Sequence, residues 1–142
     1  MLFFENYATV EDVINFKQSE DPDYNGLLKI PMTATLLQLI DYMADHQIGV
    51  VFLHDADDQI IGLISERDII RHIAMNALEA FEKPIDMMVQ RNLVTCKRTD
   101  KLKAVASRMA EQHIRHAAIL SDTGEYIGVV SSSDIELFAG KG

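Results

Sequence analysis

The stretch GLISERDIIR at residues 62 to 71 returns at 128 to 137 as GVVSSSDIEL, and this repetition constrains the fold more than any other feature of the chain. Sliding the sequence against itself by 66 positions places Ser65 on Ser131 and Asp68 on Asp134. The match runs back without a gap to Leu27 over Leu93, with Thr33 on Thr99, Leu36 on Leu102, Met43 on Met109 and Ile48 on Ile114. Self-similarity at a fixed period marks one supersecondary unit built twice.

Each copy reads as five elements. LLKI (27 to 30) and LVTC (93 to 96) suit short strands. Thr33 and Thr99 stand where an N-cap hydroxyl accepts a backbone N–H. Leu36, Ile40, Met43 and Ala44 follow the first at helical spacing, and Leu102, Val105, Ala106, Met109 and Ala110 follow the second. The methionines at this spacing read as core. GVVFLH (49 to 54) and HAAIL (116 to 120), the turn-rich DADDQ and SDTGE, then IIGLI and YIGVV predict two hairpins, the turn tips being solvated. A helix opening at Ser65 or Ser131 closes each copy. The expected class is α+β, as two β-α-β-β-α repeats. Leaders precede both copies: TVEDVI (9 to 14) carries a capping box in Thr9 and Asp12, and PIDMMV (84 to 89) has Pro84 at a first helical position. The division expected is residues 1–80 for the first leader and repeat, and 81–142 for the second.

The 142 residues suffice for one compact core, and 48% hydrophobic with 25% charged residues is an ordinary globular balance. A formal charge of -9 without a basic cluster argues against nucleic acid as a partner. Cys96 is the only cysteine, so there is no intrachain disulfide and no CxxC site, and a reducing, cytoplasmic setting is expected. Cys96 itself reads as a small buried hydrophobe. MLFFENY lacks a positive n-region, and no later run approaches the roughly 18 apolar residues of a span, so neither secretion nor membrane insertion is expected. Enzyme signatures fail one by one. His113 and His116 in EQHIRH have no HExxH arrangement, Ser65 and Ser131 sit in no GxSxG elbow, and no P-loop or GxGxxG occurs. No catalysis and no metal site are expected.

The chemistry that remains lies at the start of the last helix of each copy. A helix N-terminus offers unpaired N–H groups and the positive end of the macrodipole, which suits phosphate. Ser65 adds a hydroxyl, Arg67 a planar fork for phosphate oxygens, and Asp68 an acceptor for two ribose hydroxyls. The same Ser-x-x-Asp is also a capping box that requires no ligand, and the motif alone leaves both readings open.

On these residues the chain resembles a tandem pair of CBS domains, the module named after cystathionine beta-synthase, over roughly residues 8 to 139. The resemblance implies two repeats packed through their sheets with pseudo-twofold symmetry, leaving two clefts that often hold AMP, ADP, ATP or S-adenosylmethionine. It implies that Ser65, Arg67 and Asp68 bind ribose and phosphate in the first frame, and that Ser131 and Asp134 do so in the second. Ile30, Thr95 and Cys96 would flank the base, and Arg115 with His116 would face the second cleft. No cofactor is required beyond an adenosine nucleotide as regulatory ligand. The second frame departs from the family: Ser133 replaces the basic residue, and Ala117, Ala118 and Ile119 stand where Leu-Pro-Val is frequent. The function implied is energy sensing by a stand-alone module with no catalytic domain appended. Homodimerisation through the helices and a regulated enzyme or transporter complete the expectation. The alternatives are a sensor of S-adenosylmethionine or NAD, and a structural dimerisation scaffold with empty clefts.

Overall fold

Residues 7–141 are described in the computed structural model. In chain order they form α1 (Val10–Glu20), β1 (Lys29–Pro31), α2 (Leu36–His46), β2 (Val50–His54), β3 (Ile60–Ser65), α3 (Glu66–Asn76), two 3-10 helices (Ala77–Glu82 and Ile85–Met88), β4 (Val94–Lys97), α4 (Leu102–Glu111), β5 (His116–Leu120), β6 (Tyr126–Ser131) and α5 (Ser132–Lys141). The α+β pattern β-α-β-β-α therefore occurs twice. Each copy makes its own three-stranded sheet, in the orders β1-β2-β3 and β4-β5-β6. The first two strands of each are parallel, as a helical crossover requires, and the second and third form an antiparallel hairpin. No helix among the described residues is long and apolar enough to cross a membrane.

Among the described residues two compact units result, Leu28–Leu93 and residues 7–27 with 94–141. In the first, Leu36, Leu39 and Met43 of α2 pack with Val51, Leu53, Ile64 and Ile69, and Ala80 and Ile85 of the 3-10 helices join them. In the second, Leu102, Val105 and Met109 of α4 pack with Val94, Cys96, Ala117, Ile119, Val130 and Phe138, and Val10 and Val13 of α1 join that core. The leaders have thus changed places relative to the division at residue 80. The segment after the first repeat stays with it, and the segment before it packs on the second. Burying each valine is worth roughly 1.5–3 kcal/mol, against about 0–1 for a surface ion pair, so Val10 and Val13 decide where α1 sits. The backbone agrees: the N–H groups of Val10 and Glu11 donate to the carbonyls of Asp100 and Arg98 at 3.0 and 2.9 Å, and Leu102 N–H donates to Ala8 at 2.9 Å. These are orphan donors at the starts of α1 and α4, each satisfied by the other segment.

Three helix starts differ from expectation. Thr33 and Thr99 lie in turns, and α2 is capped by Thr35, whose hydroxyl accepts from Gln38 N at 3.1 Å while the Gln38 side chain accepts from Thr35 N at 2.9 Å. Thr35 has a glutamine at the third helical position and Thr33 has Leu36 there, so only Thr35 closes a capping box. At α4 the cap position is Lys101, and the Ala8 carbonyl does the work of a hydroxyl. Pro84 precedes a single 3-10 turn as its cap residue rather than opening an α-helix. The Thr9 and Asp12 box forms at α1 as read, with the Asp12 carboxylate accepting from Thr9 N at 2.8 Å.

The repeat frame extends to the helix ends. Gln47 after α2 and His113 after α4 both take the left-handed conformation, at φ 53° and 56°. Side chains bearing a Cβ are strained there, whereas glycine is not. Gln47→Gly and His113→Gly are each expected to raise stability by about 0.5–1 kcal/mol, measurable as a raised urea midpoint at constant slope.

Candidate functional site

In the first unit β3 ends at Ser65, the cap of α3. The Ser65 hydroxyl accepts from Asp68 N at 3.2 Å, and the Asp68 carboxylate accepts from Ser65 N at 2.8 Å and from the hydroxyl at 2.9 Å. Both residues are buried. The capping box is therefore fully made. Gln90, from the connection leading to β4, adds its side-chain amide: Nε2 donates to Asp68 Oδ1 at 3.0 Å and Oδ2 at 2.8 Å. The Arg71 guanidinium lies 3.9 Å from Oδ1. Arg67 is exposed on the first turn of α3, beside the positive end of its dipole.

In the second unit the same geometry recurs with different partners. Ser131 N donates to Asp134 Oδ2 at 2.9 Å, and Asp134 N to the Ser131 hydroxyl at 3.0 Å. Here Oδ2 also accepts from Lys17 of α1, at 2.9 Å, and the Lys17 ammonium sits 4.8 Å from the centre of the Tyr24 ring. The Asp134 side chain is 21% exposed, against 8% for Asp68. Ser133 supplies no charge, yet the mouth is not without a cation, because the leader helix brings one. Lys17 was not readable as a site residue, since nothing in its local sequence marks it.

Arg115 and His116 lie beside the start of α5 through their backbones. The Arg115 carbonyl accepts from Ser132 N at 2.9 Å, its side chain is exposed, and His116 pairs across the hairpin with Ser131. At the matching place in the first unit, the Gly49 carbonyl accepts from Glu66 N at 2.9 Å. At the first mouth Arg67 is on the helix itself, whereas at the second Arg115 contributes its backbone carbonyl.

Ile30, Thr95 and Cys96 lie on the outer strands of their sheets, one strand removed from the mouths. Ile30 pairs with Leu53, which pairs with Gly62, so it is level with the glycine that begins the repeated motif. Cys96 is likewise level with Gly128. The side chains of Ile30 and Cys96 are buried in the cores, which leaves backbone groups as their means of contact. The Thr95 carbonyl already accepts from Arg108 Nη1 at 2.8 Å. Burial, with the Asp100 carboxylate adding to it, pushes the Cys96 thiol up to about 11, so it is no nucleophile near neutral pH. On β1, Lys29 reaches the hairpin turn and pairs with both oxygens of Asp58 at 2.8 and 2.9 Å. That contact holds the Asp58 carboxyl below its ordinary range, although the turn is otherwise solvated.

The CBS domain family model matches residues 25–75 and 85–138, the two repeats that carry these mouths. The chain belongs to this family. Among curated relatives, the L-aspartate semialdehyde sulfurtransferase of Methanocaldococcus jannaschii is 28% identical over 120 residues, covering 81% of this chain and 23% of that one. The chain spans about a quarter to a half of the length of the first curated relatives it matches. Two solved structures share the CBS-pair fold. The CBS domain protein PAE2072 from Pyrobaculum aerophilum, complexed with AMP, has a TM-score of 0.72 at 22% identity and covers 94% of this chain and 99% of its own. The CBS domain pair of protein MJ0100, in complex with 5-methylthioadenosine and S-adenosyl-L-methionine, has a TM-score of 0.76 at 22% identity, covering 96% and 99%.

Proposed function

We propose that the chain is a regulatory module that binds an adenosine-containing nucleotide of the AMP, ADP or ATP class at its CBS repeats and passes occupancy on to a partner. The observation that carries this reading is the first helix mouth, where a buried acceptor, Asp68, and an exposed guanidinium, Arg67, stand within one turn of a helix N-terminus. Ribose donates hydrogen bonds and phosphate accepts them, so a nucleotide matches that pairing of signs. AMP in the Pyrobaculum complex supports the ligand class, and S-adenosylmethionine in the MJ0100 complex is the competitor within it. Ser65, Arg67 and Asp68 hold the ligand in the first site. Ser131 and Asp134, with Arg115 and His116, serve the second, and the backbones at Ile30, Thr95 and Cys96 edge the base. Two chains pair as a homodimer in the cytoplasm, and the partner is an enzyme or transporter. The module itself catalyses nothing.

A scaffold reading has one observation in its favour: both motif carboxylates are already satisfied within the chain, Asp68 by Gln90 and Asp134 by Lys17. Calorimetric titration with AMP, ADP, ATP, S-adenosylmethionine and NAD separates the readings. Saturable binding of one adenosine nucleotide without turnover is expected. Silence across the panel selects the scaffold, and turnover of any compound selects an enzyme.

A further inference from the structure

We infer that Gln90 is an internal latch on the first mouth, its amide occupying the acceptor face of Asp68 so that a ligand must lift residues 89–91 off β3 to enter. The inference rests on the nucleotide reading, and it adds a regulatory step to it. An ionised carboxylate only accepts hydrogen bonds, and the Gln90 amide delivers its donors to both oxygens, at 3.0 and 2.8 Å. A vicinal diol delivers two donors to the same lone pairs. The two cannot hold Asp68 together, because Ser65 N–H and the Ser65 hydroxyl already occupy Oδ2 and the carboxylate is almost fully buried.

The latch is built to open. Gln90 and Leu63 exchange both backbone hydrogen bonds, at 2.8 and 3.1 Å, but this is an isolated bridge with no ladder on either side. One bridged pair, the Gln90 side chain and the packing of Val89 against the core fasten the strap, whereas β2 and β3 share a run of paired residues. Gly62 lets the strap lie close, since a Cβ there would run into the Gln90 carbonyl. Among the described residues the second mouth has no matching strap. Tyr24 holds the frame position of Gln90, Gly26 two residues on approaches Gly128 without a paired bridge, and Asp134 meets the Lys17 ammonium on a more exposed face. The strap also belongs to the connection that runs into β4, so releasing it alters the segment joining the repeats. Occupancy of the first mouth then has a physical outlet, a segment with two states that ligand biases.

The test compares the full chain with its Gln90→Ala variant in calorimetric titrations with AMP, ATP and S-adenosylmethionine, and follows hydrogen exchange at the Leu63 and Gln90 amides of the unaltered protein. Removing hydrogen bonds that compete for a charged acceptor is expected to tighten binding by about tenfold or more. The two amides are expected to exchange faster at saturation. Unchanged or weaker affinity in the variant, or undiminished protection of the two amides at saturation, overturns the latch and leaves the nucleotide reading standing. Silence of both proteins overturns both.

Discussion

Gly62→Ala is expected to destabilise the protein by about 2–4 kcal/mol, whereas Gly128→Ala, the same substitution at the same place in the repeat, is expected to cost about 1 kcal/mol or less. The two glycines open the same Gly-x-x-Ser-x-x-Asp motif, but their surroundings differ. At Gly62 a new methyl group would meet the carbonyl carbon and oxygen of Gln90 and the Val89 side chain, and backbone cannot step aside as a flexible side chain can. Relief requires moving residues 89–91, which breaks the two hydrogen bonds between Leu63 and Gln90 and withdraws the amide from Asp68. At Gly128 the nearest atom, the Gly26 carbonyl oxygen, is 3.4 Å from the added carbon, a contact that a shift of a few tenths of an ångström relieves. Urea denaturation of both variants measures the difference. Equal losses would mean that the strap does not press on β3.

What the sequence reveals and what it hides follow one physical division. Strands, helices and the doubled frame arise from apolar spacing within a dozen residues, and all six strands form where alternating or aliphatic runs stand. The pairing of leaders with repeats depends instead on contacts between distant segments. Adjacency in the chain suggests that α1 covers the first repeat, yet the carbonyls that receive its first N–H groups belong to Arg98 and Asp100. No local pattern near residue 10 encodes that choice. The misplaced caps are a smaller case, and they were legible: Gln38 three residues after Thr35 distinguishes it from Thr33.

The site divides the same way. Ser65 with Asp68 and Ser131 with Asp134 could be read because a capping box has a fixed spacing of three. The residues that set each mouth's character come from 22 positions away for Gln90 and 117 for Lys17. Ser133 in place of Arg67 suggests a second mouth without charge, and packing restores a cation there from α1. Two mouths copied from one frame therefore differ in what holds their carboxylates, a neutral amide in one and an ammonium in the other. That difference, invisible in the repeat itself, makes them separable by experiment.

Asp68→Ala is expected to cost about 2–4 kcal/mol of stability and to abolish nucleotide binding at the first mouth, while Asp134→Ala costs about 1–2 kcal/mol and leaves that binding intact. Losing the Asp68 carboxylate orphans the Ser65 N–H in a buried place and strips the Gln90 amide of both acceptors. A cap contributes about 0.5–2 kcal/mol and each buried unsatisfied donor about 1–3, so the penalties combine with only partial relief from water. At Asp134 the Lys17 side chain is 24% exposed, so its freed ammonium hydrates readily, which limits the loss to that of the cap and part of an ion pair. Thermal denaturation ranks the two stabilities, and titration at a temperature where both variants are folded reads the binding. Affinity unchanged in Asp68→Ala would remove that carboxylate from the site, and binding lost only in Asp134→Ala would transfer the nucleotide to the second mouth, with Lys17 beside its motif carboxylate.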